Sequence, residues 1–203
     1  MPGGTTDGPV SDQLERWLAG DGEHTLGALV DVFEEKSFAL LFILLLGVSA
    51  LPLPTGGATH VFDVIAVLAA AQLVAGRDRI WIPERWRGVP LGGRKQRRFT
   101  TGLLKFIRAL ERVSRPRLTF VFDHRISNSV FGLIVILLTA GAFLAPPFSG
   151  LDTLPALGVV LVSLGVLLED VVLVAAGLVA GAGGILLEIV LGKAAVGGIR
   201  SLL

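Results

Sequence analysis

Residues 171–191 read VVLVAAGLVAGAGGILLEIVL, and Glu188 is the one ionisable side chain among them. A helix of about 20 mainly apolar residues is what the hydrocarbon core of a bilayer demands, so the stretch is expected to be a membrane helix. Two earlier regions share its character. Residues 37–76 hold only His60 and Asp63 as ionisable groups, and residues 126–168 hold only Asp152. With 52% hydrophobic residues and a mean hydropathy of +0.73, the chain carries more apolar surface than a soluble domain of this length buries.

Proline and glycine divide these regions into segments. The first runs from about Ser37 to Leu53 and stops at Pro52-Leu53-Pro54-Thr55-Gly56-Gly57, where proline cannot continue a helix. The second covers about Thr59 to Gly76. The third, about Asn128 to Ala145, stops at Pro146-Pro147-Phe148-Ser149-Gly150, and the fourth covers about Thr153 to Leu168. Asp152 or Thr153 is its expected N-cap, with Pro155 tolerated in the first turn. Segments one and two match three and four at an offset of 92, which puts Pro54 on Pro146, Val67 on Val159 and Asp78 on Asp170. The expected fold is an all-α integral membrane protein: two related hydrophobic helix pairs, a fifth membrane helix and a cytoplasmic amphipathic helix. Its regions are an acidic 1–36, a first pair at 37–76, a basic loop at 77–128, a second pair at 129–168, and a fifth helix with its tail at 169–203.

Charge is segregated along the chain. Residues 1–37 hold eight acids against Arg16 and Lys36, a balance of −6, and lack the positive start of a cleaved signal peptide. Ser11 or Asp12, and Thr25, are expected to cap short helices there. Residues 77–125 hold 14 of the 18 Lys and Arg with four acids among them, a balance of +10. Basic loops stay on the cytoplasmic side, so this one is expected inside the cell, against anionic headgroups rather than nucleic acid. Within it Phe99, Leu103, Phe106, Leu110 and Val113 recur at helical spacing, with Arg97, Arg98, Lys105, Arg108 and Arg112 alongside. That is a basic amphipathic helix, lying either on the membrane surface or against the ends of the spans. Trp81 and Trp86 suit the headgroup layer.

No cysteine is present, which removes disulfides and thiolate chemistry. Phosphate-binding glycine loops, paired metal-ligand histidines and serine elbows are absent too, so no catalytic residue, metal or cofactor is expected. Attention falls on ionisable groups within the apolar segments. Asp63, Asp152 and Glu188 each need a reason to be there, because an acid at mid-bilayer costs about 2.5–3.5 kcal/mol. Asp63 and Asp152 follow helix starts, where the dipole favours them at an interface. His60 beside Asp63 is either a protonation pair or a hydrogen-bonded interfacial residue. Ala176, Ala180 and Gly184 lead to Glu188 at steps of four, beside Gly177 and Gly181. This small-residue face is suited to close helix packing and to self-association, and Glu188 either points inward from it or snorkels. Short apolar segments interrupted at corresponding positions point to a transport site, which groups Pro54, Gly56, Gly57, His60, Asp63, Pro147, Gly150, Asp152, Pro155 and Glu188. Two plain hairpins with interfacial turns would give the same pattern.

The run Ala50-Leu51-Pro52-Leu53-Pro54-Thr55-Gly56-Gly57 is followed by Ala71-Gln72-Leu73, by Gly76-Arg77 and by Trp81-Ile82-Pro83. With Leu110-Glu111-Arg112, Arg115-Pro116-Arg117, Thr153-Leu154-Pro155-Ala156, Gly165 and Glu169-Asp170, it resembles the exopolysaccharide synthesis protein ExoD family over about residues 25–190. Asp63, in a stretch usually apolar or glycine in that family, and Val171, where glycine is common, depart from the pattern. The resemblance implies a multi-pass bacterial inner-membrane protein linked to exopolysaccharide production and to alkaline tolerance. The leading expectation is a non-enzymatic, transport-like role in polysaccharide synthesis or export. The alternative is a scaffold that docks a polysaccharide synthase through the basic loop.

Overall fold

A computed structural model describes residues 12, 15–16, 19, 25, 27–28, 31, 36–51, 60–77, 80–88, 104–105, 108–109, 125–145 and 149–200, with the backbone alone at Trp86, Arg125 and 195–200. Every regular element among them is helical: α1 (Ser37–Leu46), α2 (His60–Val74), the single turn α3 (Glu84–Arg87), α4 (Arg125–Leu144), α5 (Thr153–Leu167) and α6 (Val171–Arg200). Two of these contain stretches long and apolar enough to cross a membrane, Ile126–Leu144 and Val171–Ala194. At 1.5 Å per residue α1 is only about 15 Å long and α2 and α5 about 22 Å, whereas α6 reaches about 45 Å.

The boundaries differ from the sequence expectation in two places. The first segment leaves the helix at Leu46, seven residues before Leu53, and continues as turns with Ala50 N–H bonded to Leu46 O at 2.8 Å. Gly47 weakens helix propagation, and the residue before Pro52 is pushed out of the helical region. At the other extreme α6 runs past Leu191 through Lys193 to Arg200. Isolated glycines cost about 1 kcal/mol each but do not end a helix without a left-handed cap or a proline.

α1 is apolar all round, and so it sits at the centre, with Phe38, Leu40, Phe42, Ile43 and Leu46 buried. The Phe42 ring meets Phe131 of α4 edge-on at 5.6 Å, a geometry aromatic pairs prefer. α5 is buried in the same way from Pro155 to Leu167 and packs on α1, α4 and α6. α2 lies against α1 and α4, turning in Asp63, Ala66, Ala70 and Leu73. The three outer helices leave apolar faces uncovered. Val61, Val64 and Leu68 line one on α2; Ile126, Val130, Leu133, Leu137 and Leu144 another on α4; and most of α6 from Val172 to Leu191 is exposed, Val179 at 75%.

α5 and α6 form the most extensive pair, and glycines set their separation. A methyl group at Gly158 would come within 2.5 Å of the Gly181 Cα, and one at Gly177 within 2.6 Å of the Val162 nitrogen. Their connection is a three-residue turn. Asp170 N–H reaches Gly165 O at 2.8 Å and Glu169 N–H reaches Val166 O at 3.3 Å, a Schellman closure with Glu169 left-handed at φ 55°. Asp170 then caps α6 through Val172 N–H at 2.9 Å. α2 ends with the same bond pattern, but there Gly76 takes the left-handed position at φ 80°. Beyond it the Gln72 side chain clamps the backbone of Trp81, accepting its N–H at 2.8 Å and donating to its carbonyl at 3.2 Å. Ile80 and Ile82 thereby face inward and Trp81 outward.

Candidate functional site

The bundle has two ends. The loop end gathers the start of α1, the finish of α2, the start of α4 and the α5–α6 turn; the turn end gathers the starts of α2 and α5, the finish of α4 and the later part of α6. Close contacts fix the axial register. Gly132 of α4 faces Ala70 and Leu73 of α2, Gly141 faces Ile185 of α6, and Gly184 of α6 rests on Leu154 and Pro155 of α5. Helices that approach this closely hold a constant offset, so Glu188, one turn beyond Gly184, arrives beside the start of α5.

There the ionisable residues of the apolar segments converge. The His60 Nδ1 and Asp63 Oδ2 atoms are 3.3 Å apart across one turn of α2. His60 is partly exposed and its ring meets Phe143 in a tilted contact, centroids 4.9 Å apart, while Asp63 is 2% exposed. Asp152, half-buried at the start of α5, is near enough to both Asp63 and Glu188 for the like charges to act on each other. Asp63 Oδ1 and Glu188 Oε1 are buried and have no hydrogen-bond partner. Among the described residues no Lys or Arg forms an ion pair with these three acids, and no group of His, Asp and Glu is close enough to hold a metal ion. Asp152 stands at the N-cap position without a side-chain capping bond, because its backbone is already helical at φ −59°. The capping expected of it is not made.

The remaining candidates divide by place. Pro155 is buried under Gly184, and Gly150 is exposed and left-handed at φ 69° just before α5. Pro54, Gly56, Gly57 and Pro147 lie outside the described residues, as do Arg97, Arg98 and Arg112. On α6 the buried face is Gly177, Gly181 and Gly184, with Ala180 half-buried and Ala176 exposed. The packing stripe is thus rotated from the one that starts at Ala176, since glycine alone admits the α5 backbone. Lys105 is exposed; Arg108 donates to Glu15 and lies 3.8 Å from Asp12, so its charge is met by the acidic N-terminal region. Thr25 accepts the Ala28 N–H at 3.2 Å, as a helix cap should.

Sequence reasoning missed the buried hydroxyls. Ser49, Thr139 and Ser163 are each 3% exposed or less with no partner for the side-chain oxygen. Thr139 lies one turn inward from Phe143, and the α2–α4 register brings it level with Asp63. A lone hydroxyl in an apolar helix was the available signal.

Chains of known family sharpen this picture. Residues 10–190 match the family model described as exopolysaccharide synthesis, ExoD. The chain is 28% identical over 154 residues to an uncharacterized protein of Synechocystis, covering 76% of this chain and 72% of that one. It is 27% identical over 179 residues to Protein ExoD of Rhizobium meliloti, covering 86% of this chain and 73% of that one. No solved structure matches. With nine-tenths of its length matched in order, the chain belongs to the ExoD family of exopolysaccharide synthesis proteins.

Proposed function

We propose that the chain is a multi-pass protein of the bacterial inner membrane that supports exopolysaccharide synthesis or export through a transport-like action at the turn end, without catalysis. The observation that carries this reading is the outward apolar faces of α2, α4 and α6. Leaving one Leu or Val in water rather than burying it forgoes about 1.5–3 kcal/mol, so faces this continuous call for lipid. The short buried helices then fit the interrupted segments of transporters, whose starts meet at a common depth inside the protein. The internal repeat has support in the contacts. α1 lies on α5 as α4 lies on α2, and α1 lies on α2 as α4 lies on α5, which is the exchange a two-fold relation between the copies would produce.

A scaffold that docks a synthase through the basic loop is the weaker reading. Arg87 is bonded to Asp31 at 2.6 Å and Arg108 to Glu15, so part of the loop's charge is already engaged within the chain.

Topology tests the proposal directly, because a chain without cysteine accepts one at any chosen position. In intact cells Gly150→Cys should react with an impermeant maleimide and Gln96→Cys should react only after the membrane is opened. In a strain deleted for the chain, exopolysaccharide output should fall and return with the parent gene. Protein recovered from the soluble fraction, or Gln96→Cys labelled from outside, would sink the reading.

A further inference from the structure

A carboxylate inside a protein needs a partner for each oxygen, since an unsatisfied buried acceptor costs about 1–3 kcal/mol and more when charged. Asp63 has His60 on Oδ2 and nothing on Oδ1. Two further acids, Asp152 and Glu188, stand at the same end of the bundle, and among the described residues no Lys or Arg pairs with any of the three. Across the α2–α4 interface, at the depth of Asp63, lies Thr139, whose buried hydroxyl has no partner either. A carboxylate buried without a counter-ion is costly and is neutralised by taking up a proton, after which its O–H needs only one acceptor. The proton is the cation that needs no coordination shell.

Resting on the transport-like reading above, we infer that His60, Asp63, Asp152 and Glu188 form a proton-exchange site at the turn end, with Asp63 holding the proton and His60 connecting it to the outer face. His60 is 29% exposed in its side chain and Asp63 3%, so the imidazole reaches the protein surface and the carboxyl does not. In the transfer the N–H bond of protonated His60 Nδ1 breaks and an O–H bond forms on Asp63 Oδ2. Neutral imidazole and neutral acid remain, and a hydronium ion from the acid side then reprotonates the ring, leaving water. No ionisable group faces Asp63 from α1 or from α4 between Ile126 and Ala145; α5 contributes Asp152, and α6 contributes Glu188 and, farther along, the exposed Lys193.

The test uses the full chain in liposomes loaded with a pH-sensitive dye under an acid-outside gradient. Proton entry should exceed that of empty liposomes and fall roughly a hundredfold in Asp63→Asn, the low end of what a positioned proton-transfer group contributes. His60→Gln should slow it, and Glu169→Gln at the loop end should leave it unchanged. Infrared spectra of the detergent-solubilised protein should lose a carboxylic-acid C=O band in Asp63→Asn, a readout that a merely misfolded variant is separated from by its melting curve. Parent flux no faster than empty liposomes, Asp63→Asn flux equal to the parent, or an unchanged band would each overturn the site. If flux fails while the chain still restores exopolysaccharide, this inference falls and the function stands; flux with no effect on exopolysaccharide is the converse.

Discussion

The two ends of the bundle treat charge in opposite ways. At the loop end opposite charges meet across elements distant in sequence, Lys36 with Glu169 at 3.5 Å and Arg87 with Asp31 at 2.6 Å, all in contact with water. At the turn end acids gather with His60 beside Asp63 but, among the described residues, no Lys or Arg paired to them, and Asp63 is shut away from solvent. Exposed pairs are screened and each contributes at most about 1 kcal/mol, so the loop end is cheap to build and cheap to lose. Burying acids together is costly, and a fold keeps such an arrangement only where the surrounding packing enforces it. Here the enforcing contact is glycine against proline.

The largest effect should therefore come from that contact. A side chain at Gly184 would meet Pro155 Cδ at 2.6 Å and Leu154 Cβ at 2.7 Å, so Gly184→Leu should lower stability by about 3 kcal/mol and open the turn end first. Thermal melting in detergent, with a spin label on each of α5 and α6, would read both, and an unchanged midpoint would mean the contact does not hold the end together. Next, Glu169→Gly relieves a left-handed backbone at the cost of an exposed pair with Lys36, and a gain of up to about 1 kcal/mol is expected. A loss larger than that would give the Lys36 pair more weight than its exposure warrants. Smaller still, Asp31→Asn should cost roughly 0.5 kcal/mol, and the difference should vanish near about 1 M salt. A salt-insensitive loss would erase the distinction between the ends. Least of all, Asp63→Asn should change stability by no more than about 0.3 kcal/mol, because an amide stands in for a proton-bearing acid. A drop of about 3 kcal/mol, the scale of breaking a buried ion pair, would make His60 and Asp63 a permanent salt bridge instead.

Much of this was readable before any coordinates. The helical composition and four of the five long helices follow from apolar runs bounded by proline and glycine, and α5 falls within a residue of its expected bounds. α1 did not, because hydrophobicity continues to Leu53 while the backbone turns at Gly47, and composition cannot distinguish an apolar turn from an apolar helix. Of the candidate site, His60, Asp63, Asp152 and Glu188 were visible as ionisable groups in apolar company. Their convergence was not, since it depends on the α5–α6 offset and hence on which glycines face the partner. The stripe from Ala176 and the buried face through Gly177 and Gly181 share Gly184 and differ by a partial rotation of the helix, and sequence periodicity alone does not choose between them. Thr139 stayed hidden for a related reason, as its importance lies in being level with Asp63 across a helix interface.

The turn that joins α5 to α6 has a mechanical consequence. Bound by the Schellman closure at one end, by Gly184 on Pro155 near the other and by interlocked glycines between, the two helices behave as a single plank. α2 and α4 make the other extensive pairing, locked where Gly132 meets Ala70. The seam between the planks passes between Asp63 on one and Asp152 and Glu188 on the other. Any rocking of the planks about α1 would change the spacing of those acids before it disturbed anything else.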